Sequence, residues 1–460
     1  MKPMPLLIAV ALLAILGGLV YYTEENPPAS DDAKVNVVDL KAADIQAVTV
    51  RRPGLEPLTV RRSGDSDWTF AEPSSMKVDG FAAETLIASL TPLSASRVVE
   101  EQVSDWAPYG LTGEGTLRVE VEAKEGKSYQ ITFGNNTPTG SAVYARLEGD
   151  PRLFTLFSNL KTGFEKQPFD LRDKKLLAID PAKISRMVLK TDAETLEFGK
   201  SGEDKWQILQ PKPLRADNFT VGDLARALQS AEMTAVLAEG DAPADQYSFA
   251  KPYAVAEVTA EDGTHTLTVA QGQGDTFYAQ SSDLAGGVYE VSKTLADGLR
   301  KQLSDFRNKK LFDFGYQDPV KLELRDGETR LTIAKKGEDW VAASDGDRKL
   351  DAAKVQSVID SLRNLTAISF ASDEAADQAK YGLDNPVIEA AVTPAEEGAQ
   401  EKVVISAAGE ERFYAAIPAL PTTYEIEKVS FDLIRRSMAD ALKPAESTGN
   451  AEKSGATKKN

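Results

Sequence analysis

The chain has 460 residues, 42% of them hydrophobic, which suits roughly two to four domains of ordinary size and excludes disorder throughout. Acidic residues outnumber basic ones 71 to 53, for a net charge of −18, and a surface of that sign repels a phosphate backbone, so nucleic acid is excluded as a partner. Cysteine is absent and histidine occurs once, which removes disulfides, thiolate metal sites, cysteine nucleophiles, His-rich zinc sites and paired-histidine acid–base chemistry.

Residues 1–4 read as a short cytoplasmic start carrying Lys2. Residues 5–22, PLLIAVALLAILGGLVYY, contain no charge. At about 1.5 Å per residue such a helix spans roughly 27 Å, near the thickness of a bilayer core. Lys2 precedes the run, and Glu24, Glu25, Asp31 and Asp32 follow it. That bias keeps the amino terminus inside and places the body outside the cytoplasm. A cleaved signal peptide is the competing reading, but TEENPP has no small-x-small site, so the expectation is an uncleaved inner-membrane anchor with the body in the periplasm. Residues 23–36 read as a polar linker.

The rest of the chain is periodic. GDSDWTFAEP, GEDKWQILQP and GEDWVAA surround Trp68, Trp206 and Trp340. Asp79, Asp217 and Asp351 each follow their tryptophan by 11 residues, and Tyr109, Tyr247 and Tyr381 follow it by 41. Agreement at two offsets in three places marks a repeat of about 135 residues, long enough to own a core. Each aspartate reads as a helix N-cap, because its carboxylate can accept from free backbone N–H groups. The apolar sets Ala83, Leu86, Ile87, Leu90; Val221, Leu224, Ala225, Leu228; and Val355, Val358, Ile359, Leu362 have i, i+3, i+4, i+7 spacing, one stripe facing a core. Alternating strands follow, with hairpin tips at AKEGKS and AEDGT, then a second Tyr-Ala strand at Tyr144, Tyr278 and Tyr414, and a closing helical stretch. Short turns force antiparallel pairing. The fold class is therefore α+β: an N-terminal transmembrane helix, then three tandem homologous repeats with mostly antiparallel sheets, over residues 37–177, 178–312 and 313–443. Residues 444–460 are small and polar and read as a disordered tail.

The acids before each tryptophan could suggest a carboxylate site beside an aromatic ring. Their spacing argues for a turn instead, since Asp65 and Asp67, Glu203 and Asp204, and Glu338 and Asp339 stand at different distances from the ring. The tryptophans, aspartates and tyrosines read as structural. Ser248 replaces the glycine of Gly110 and Gly382, so the bend glycine allows is expected to be dispensable there. His265 alternates with Leu267 and Val269, as an ordinary half-buried strand histidine does. Arg172 and Arg307, in LRDKK and FRNKK, are matched basic clusters, either solvated helix ends, where cations favour the carboxyl terminus, or contacts to an acidic partner or anionic glycan. GNNTPTG, residues 134–140, lacks the lysine of a phosphate loop. No catalytic, cofactor-binding or metal motif stands out.

The Trp68…Pro73 and Trp206…Pro211 units, PYGL at residues 108–111, YGLDNP at residues 381–386, the Tyr-Ala strands and LRDKKLL resemble the bacterial family built from the domain of unknown function numbered 4340, over residues 37–443. YSFAKP departs from that pattern. The resemblance implies an exported, membrane-anchored protein beside ABC transporter components of the gliding-motility type, with a permease and auxiliary subunits as partners, and it supplies no catalytic residue. The function expected is a noncatalytic envelope accessory or scaffold without cofactors. An exported carboxylate-dependent glycan enzyme, or a structural binder unrelated to transport, stay open as alternatives.

Overall fold

The computed structural model describes residues 35–64, 67–71, 76–113, 115–201, 205–238, 244–284, 286–394 and 399–443. The expected anchor at 5–22, most of the linker and the tail at 444–460 lie outside them. Among the described residues no helix is long and apolar enough to cross a membrane.

The chain divides into two compact units, one ending at Lys175 and the other beginning at Leu176. The first is built on an eight-stranded sheet whose spatial order is Trp68–Phe70, Leu58–Arg62, Ile45–Arg51, Leu117–Ala123, Ser128–Asn136, Ala142–Leu147, Leu153–Phe157 and Arg97–Glu100. Three strands form a meander ending at the tryptophan edge. The helix Gly80–Ala88 then carries the chain across one face to the far edge, and four more strands meander back to meet it. Neighbours pair antiparallel. Val35 and Asn36, placed in the linker by sequence, belong to a strand, Val35–Val38, paired with Leu93–Ala95. Within it only Val38 is buried, and the register shifts between Asn36 and Val38.

The second unit holds two nine-stranded sheets with the same order. Each adds a two-residue edge strand beyond its tryptophan strand, Leu214–Arg215 in one and Arg348–Lys349 in the other. The crossing helices are Asn218–Gln229 and Ala352–Arg363. A fifteen-residue helix, Lys428–Leu442, packs beside the latter.

In each sheet the core lies between the crossing helix and the face it covers. Every member of the three predicted helical stripes is buried. At about 25 cal/mol per Å² of apolar surface, one buried leucine contributes roughly 2 kcal/mol, so each four-residue stripe outweighs any single cap. Residues 311 and 312, assigned by sequence to the end of the second repeat, instead pack in the third sheet's core as Leu311 and Phe312. Leu176 likewise opens the second unit, its N–H donating to the Ala231 carbonyl. The physical reason is that Phe306 already closes the second sheet against the crossing helix, where Asp217 N–H bonds its carbonyl. The apolar pair after the two lysines is left to bury in the next core.

Candidate functional site

Trp68, Trp206 and Trp340 are 4%, 7% and 5% exposed, so none offers a ring face to solvent. Each ring is covered by a cation from the neighbouring strand: Arg62 at 4.7 Å, Lys200 at 5.5 Å and Lys335 at 5.3 Å from the centroid. In each case the charged group itself sits over the indole. Asp67, Glu338 and Asp339 are exposed while the tryptophan that follows them is buried, and Asp339 pairs with Lys349 at 2.7 Å; Asp65, Glu203 and Asp204 fall outside the described residues.

Asp79, Asp217 and Asp351 cap the crossing helices, accepting from Ala82 N, Thr220 N, and Ala353 and Lys354 N respectively. Tyr109, Tyr247 and Tyr381 pack against Tyr144, Tyr278 and Tyr414, with centroids 5.0, 5.2 and 4.7 Å apart. In the third repeat this pair joins a small apolar cluster with Leu383 and Val404, separate from the main core. The residue after each tyrosine is left-handed: Gly110 at φ 68°, Ser248 at 65° and Gly382 at 72°. Serine thus keeps the backbone geometry of its glycine counterparts, so the bend expected to be dispensable there is retained. A side chain at this φ is strained.

Arg172 forms a backbone bridge to Val78, and Arg307 the matching bridge to Ala216, so both arginines close a sheet edge just before a capped helix. The Arg307 side chain is 8% exposed, which corrects the solvated-end reading. It crosses to the third sheet, donates to both oxygens of Asp373 and stacks 3.5 Å above Phe370. Lys212 stands 3.4 Å from Asp373, and Thr422 donates to it at 3.0 Å. Burial works against the Asp373 charge, but these partners, Arg307 first, outweigh it and hold the carboxyl below its ordinary range. Further along the chain, Lys310 pairs with Thr366, so residues 307–310 border first one sheet and then the next.

Around this link lie two cavities of about 560 and 570 Å³ that share Arg307 and Phe370 in their walls. Trp206, Arg215, Asp313 and Tyr424 line the first. Two residues singled out from sequence, Trp206 and Arg307, thus meet at one place, while the aspartates and tyrosines do not. Beside it Glu401 is raised above its ordinary value by burial, although its oxygen accepts from Asp313 N at 2.6 Å and Arg215 and Lys205 favour its charge. The size suits a small polar ligand or an inserted side chain of a partner. Their walls combine guanidinium, carboxylate and aromatic groups, with the Arg307 guanidinium already engaged by Asp373 and Phe370. Among the described residues no group of three or more His, Asp or Glu side chains is placed to hold a metal ion.

Asp373 was not flagged from sequence. A signal existed: an acid stands eight residues before the repeat tyrosine each time, as Glu101, Glu239 and Asp373.

A sequence model of the domain of unknown function DUF4340 matches residues 68–213 and again residues 206–386. Each match begins at a repeat tryptophan. The same comparison with curated proteins and with solved structures gives no match.

Proposed function

Because the chain belongs to the family built from the domain of unknown function DUF4340, we propose that it is a noncatalytic accessory or scaffold protein of a bacterial envelope. In this reading residues 5–22 anchor it in the inner membrane, and three homologous copies of one α+β unit lie on the periplasmic side. Its partners are the permease and auxiliary subunits of an ABC transporter of the gliding-motility type. The observation that carries the proposal is the placement of the repeated residues. Tryptophan, aspartate and tyrosine are used in core, cap and angled ring–ring packing in all three sheets, so what recurs is architecture. Differences between repeats, above all the Arg307–Asp373 link and its cavities, are where a partner would be distinguished.

Crosslinking in intact cells, followed by recovery of the protein from membranes and identification of what it carries, tests this reading. Recovery of permease and ATPase subunits supports it. Recovery from the soluble fraction, or repeated recovery from membranes without transporter subunits, overturns it.

A further inference from the structure

His265, the one histidine of the chain, sits on strand Gly263–Gln271 of the second unit with both ring nitrogens facing carboxylates. Nδ1 lies 2.9 and 2.8 Å from the two oxygens of Asp283, and Nε2 lies 3.2 Å from Asp262. The imidazole side chain is 12% exposed and Asp283 14%, whereas Asp262, at the tip of the hairpin, is 62% exposed. A carboxylate can only accept, and a neutral imidazole has one N–H to donate. The arrangement as it stands requires the imidazolium.

Asp283 also has a second task. It accepts from Ala178 N at 2.7 Å and from Ser282 Oγ at 2.9 Å, and the neighbouring Ser281 Oγ donates to the Leu176 carbonyl. Residues 176–178, the first of the second unit, are thereby pinned to the end of strand Phe277–Ser281. The other charged groups near the ring are Glu261 on the hairpin tip, and Lys183 and Asp180 on the short helical segment that follows. Lys183 pairs with Glu261 at 3.7 Å, and Asp180 accepts from Ala182 N. The residue opposite His265 on the adjoining strand Ala254–Ala260 is Val258, which carries no charge.

We propose that His265 is a proton-operated latch joining the hairpin tip at residues 261–263 to the pinned opening segment of the second unit. Charged, it donates to both carboxylates. When it loses its proton, the remaining hydrogen stays on Nδ1, because Asp283, far less exposed than Asp262, has less water to replace it. The Nε2 lone pair then faces the Asp262 carboxylate, which swings into solvent and frees the tip. The opening segment stays pinned throughout. Burial opposes the charge, but the hydrogen bonds to Asp283 and Asp262 outweigh it and raise the ring above its ordinary value near 6.5. With the folded value raised, the contribution to stability is complete below about pH 6.5 and is lost as pH rises through the folded value.

The test uses untagged protein labelled at its one imidazole, whose nuclear magnetic resonance signals report protonation and tautomer directly. The expected result is a midpoint above 6.5 and a neutral form protonated at Nδ1. Hydrogen exchange at residues 261–264, corrected for intrinsic pH dependence, should accelerate several-fold through the same midpoint. Asp262→Asn, an exposed change that leaves the core intact, should lower the midpoint and abolish that acceleration. A midpoint at or below 6.5, a neutral form protonated at Nε2, or tip exchange that ignores the titration would overturn the proposal.

Discussion

Arg307 donates to both carboxylate oxygens of Asp373, joining the second sheet to the third across 66 residues of sequence. Breaking a buried pair by removing one partner leaves an uncompensated charge, which costs about 3–5 kcal/mol. Lys212 remains near Asp373, so Arg307→Met is expected to cost the second unit about 2–3 kcal/mol, and Asp373→Asn at least as much. Urea midpoints read with a probe in that unit measure this. Asp373 is held below its ordinary value of 3.8, so its contribution is complete above that value and is lost as pH falls through the lower folded value. Arg307→Met should flatten this acid limb of the stability profile, and an unchanged limb would count against the pairing.

Ser248 holds a φ of 65° where its counterparts are glycines. A non-glycine residue there is strained by about 1–2 kcal/mol, and glycine returns part of the relief as unfolded-state entropy. Ser248→Gly is therefore expected to raise stability by about 0.5–1 kcal/mol, seen as a higher melting temperature. Gly382→Ala should move it the other way. A destabilised Ser248→Gly would show that the serine side chain makes a contact outweighing its strain.

The helices, caps and sheet class were legible because they rest on short-range regularities. A stripe such as Val355, Val358, Ile359 and Leu362 is a direct consequence of 3.6 residues per turn, and Asp351 sits where the free amides begin. The Arg307 link was not legible, since its chemistry depends on which way two separately folded sheets turn their edges. Without Asp373 in view, an arginine before two lysines reads as solvated. At Ser248 local preference disfavours the left-handed backbone, yet the serine keeps the φ of its glycine counterparts, next to the edge-to-face Tyr247–Tyr278 pair. The role of His265 needed Asp283, 18 residues away on another turn.

Gly134 is a close-approach position. A Cβ there would stand 2.2 Å from the Tyr109 carbonyl oxygen, a backbone atom that cannot swing aside. Its counterpart in the third repeat, Ser406, donates its Oγ to the Tyr381 carbonyl at 2.5 Å, so that sheet has the space and fills it with a hydrogen bond. Gly134→Ala is expected to cost the first unit about 2–3 kcal/mol by overpacking, with loss of the edge-to-face Tyr109–Tyr144 contact as its local sign. Ser406→Gly should cost about 1 kcal/mol, one hydrogen bond. Thermal unfolding of the two variants compares them, and a Gly134→Ala loss no larger than that of Ser406→Gly would mean that the Tyr109 carbonyl gives way and that Gly134 is not a close-approach position.

Glu401 gives a pH dependence of opposite sign to that of Asp373. Burial raises its carboxyl above the ordinary 4.5, with the Asp313 N–H, Arg215 and Lys205 only partly offsetting it. A carboxyl raised in the folded state contributes most when protonated, so its contribution is complete below about pH 4.5 and is lost as pH rises through the folded value. At neutral pH the charged form is a net burden on the second unit. Glu401→Gln keeps an oxygen to accept from Asp313 N and removes the charge. It is expected to leave stability near pH 4 almost unchanged and to raise it by about 1 kcal/mol at pH 7. Denaturation midpoints at the two pH values decide the matter, since a variant weaker at pH 7 than the parent would show that the Glu401 charge is held by its cations rather than opposed by its burial.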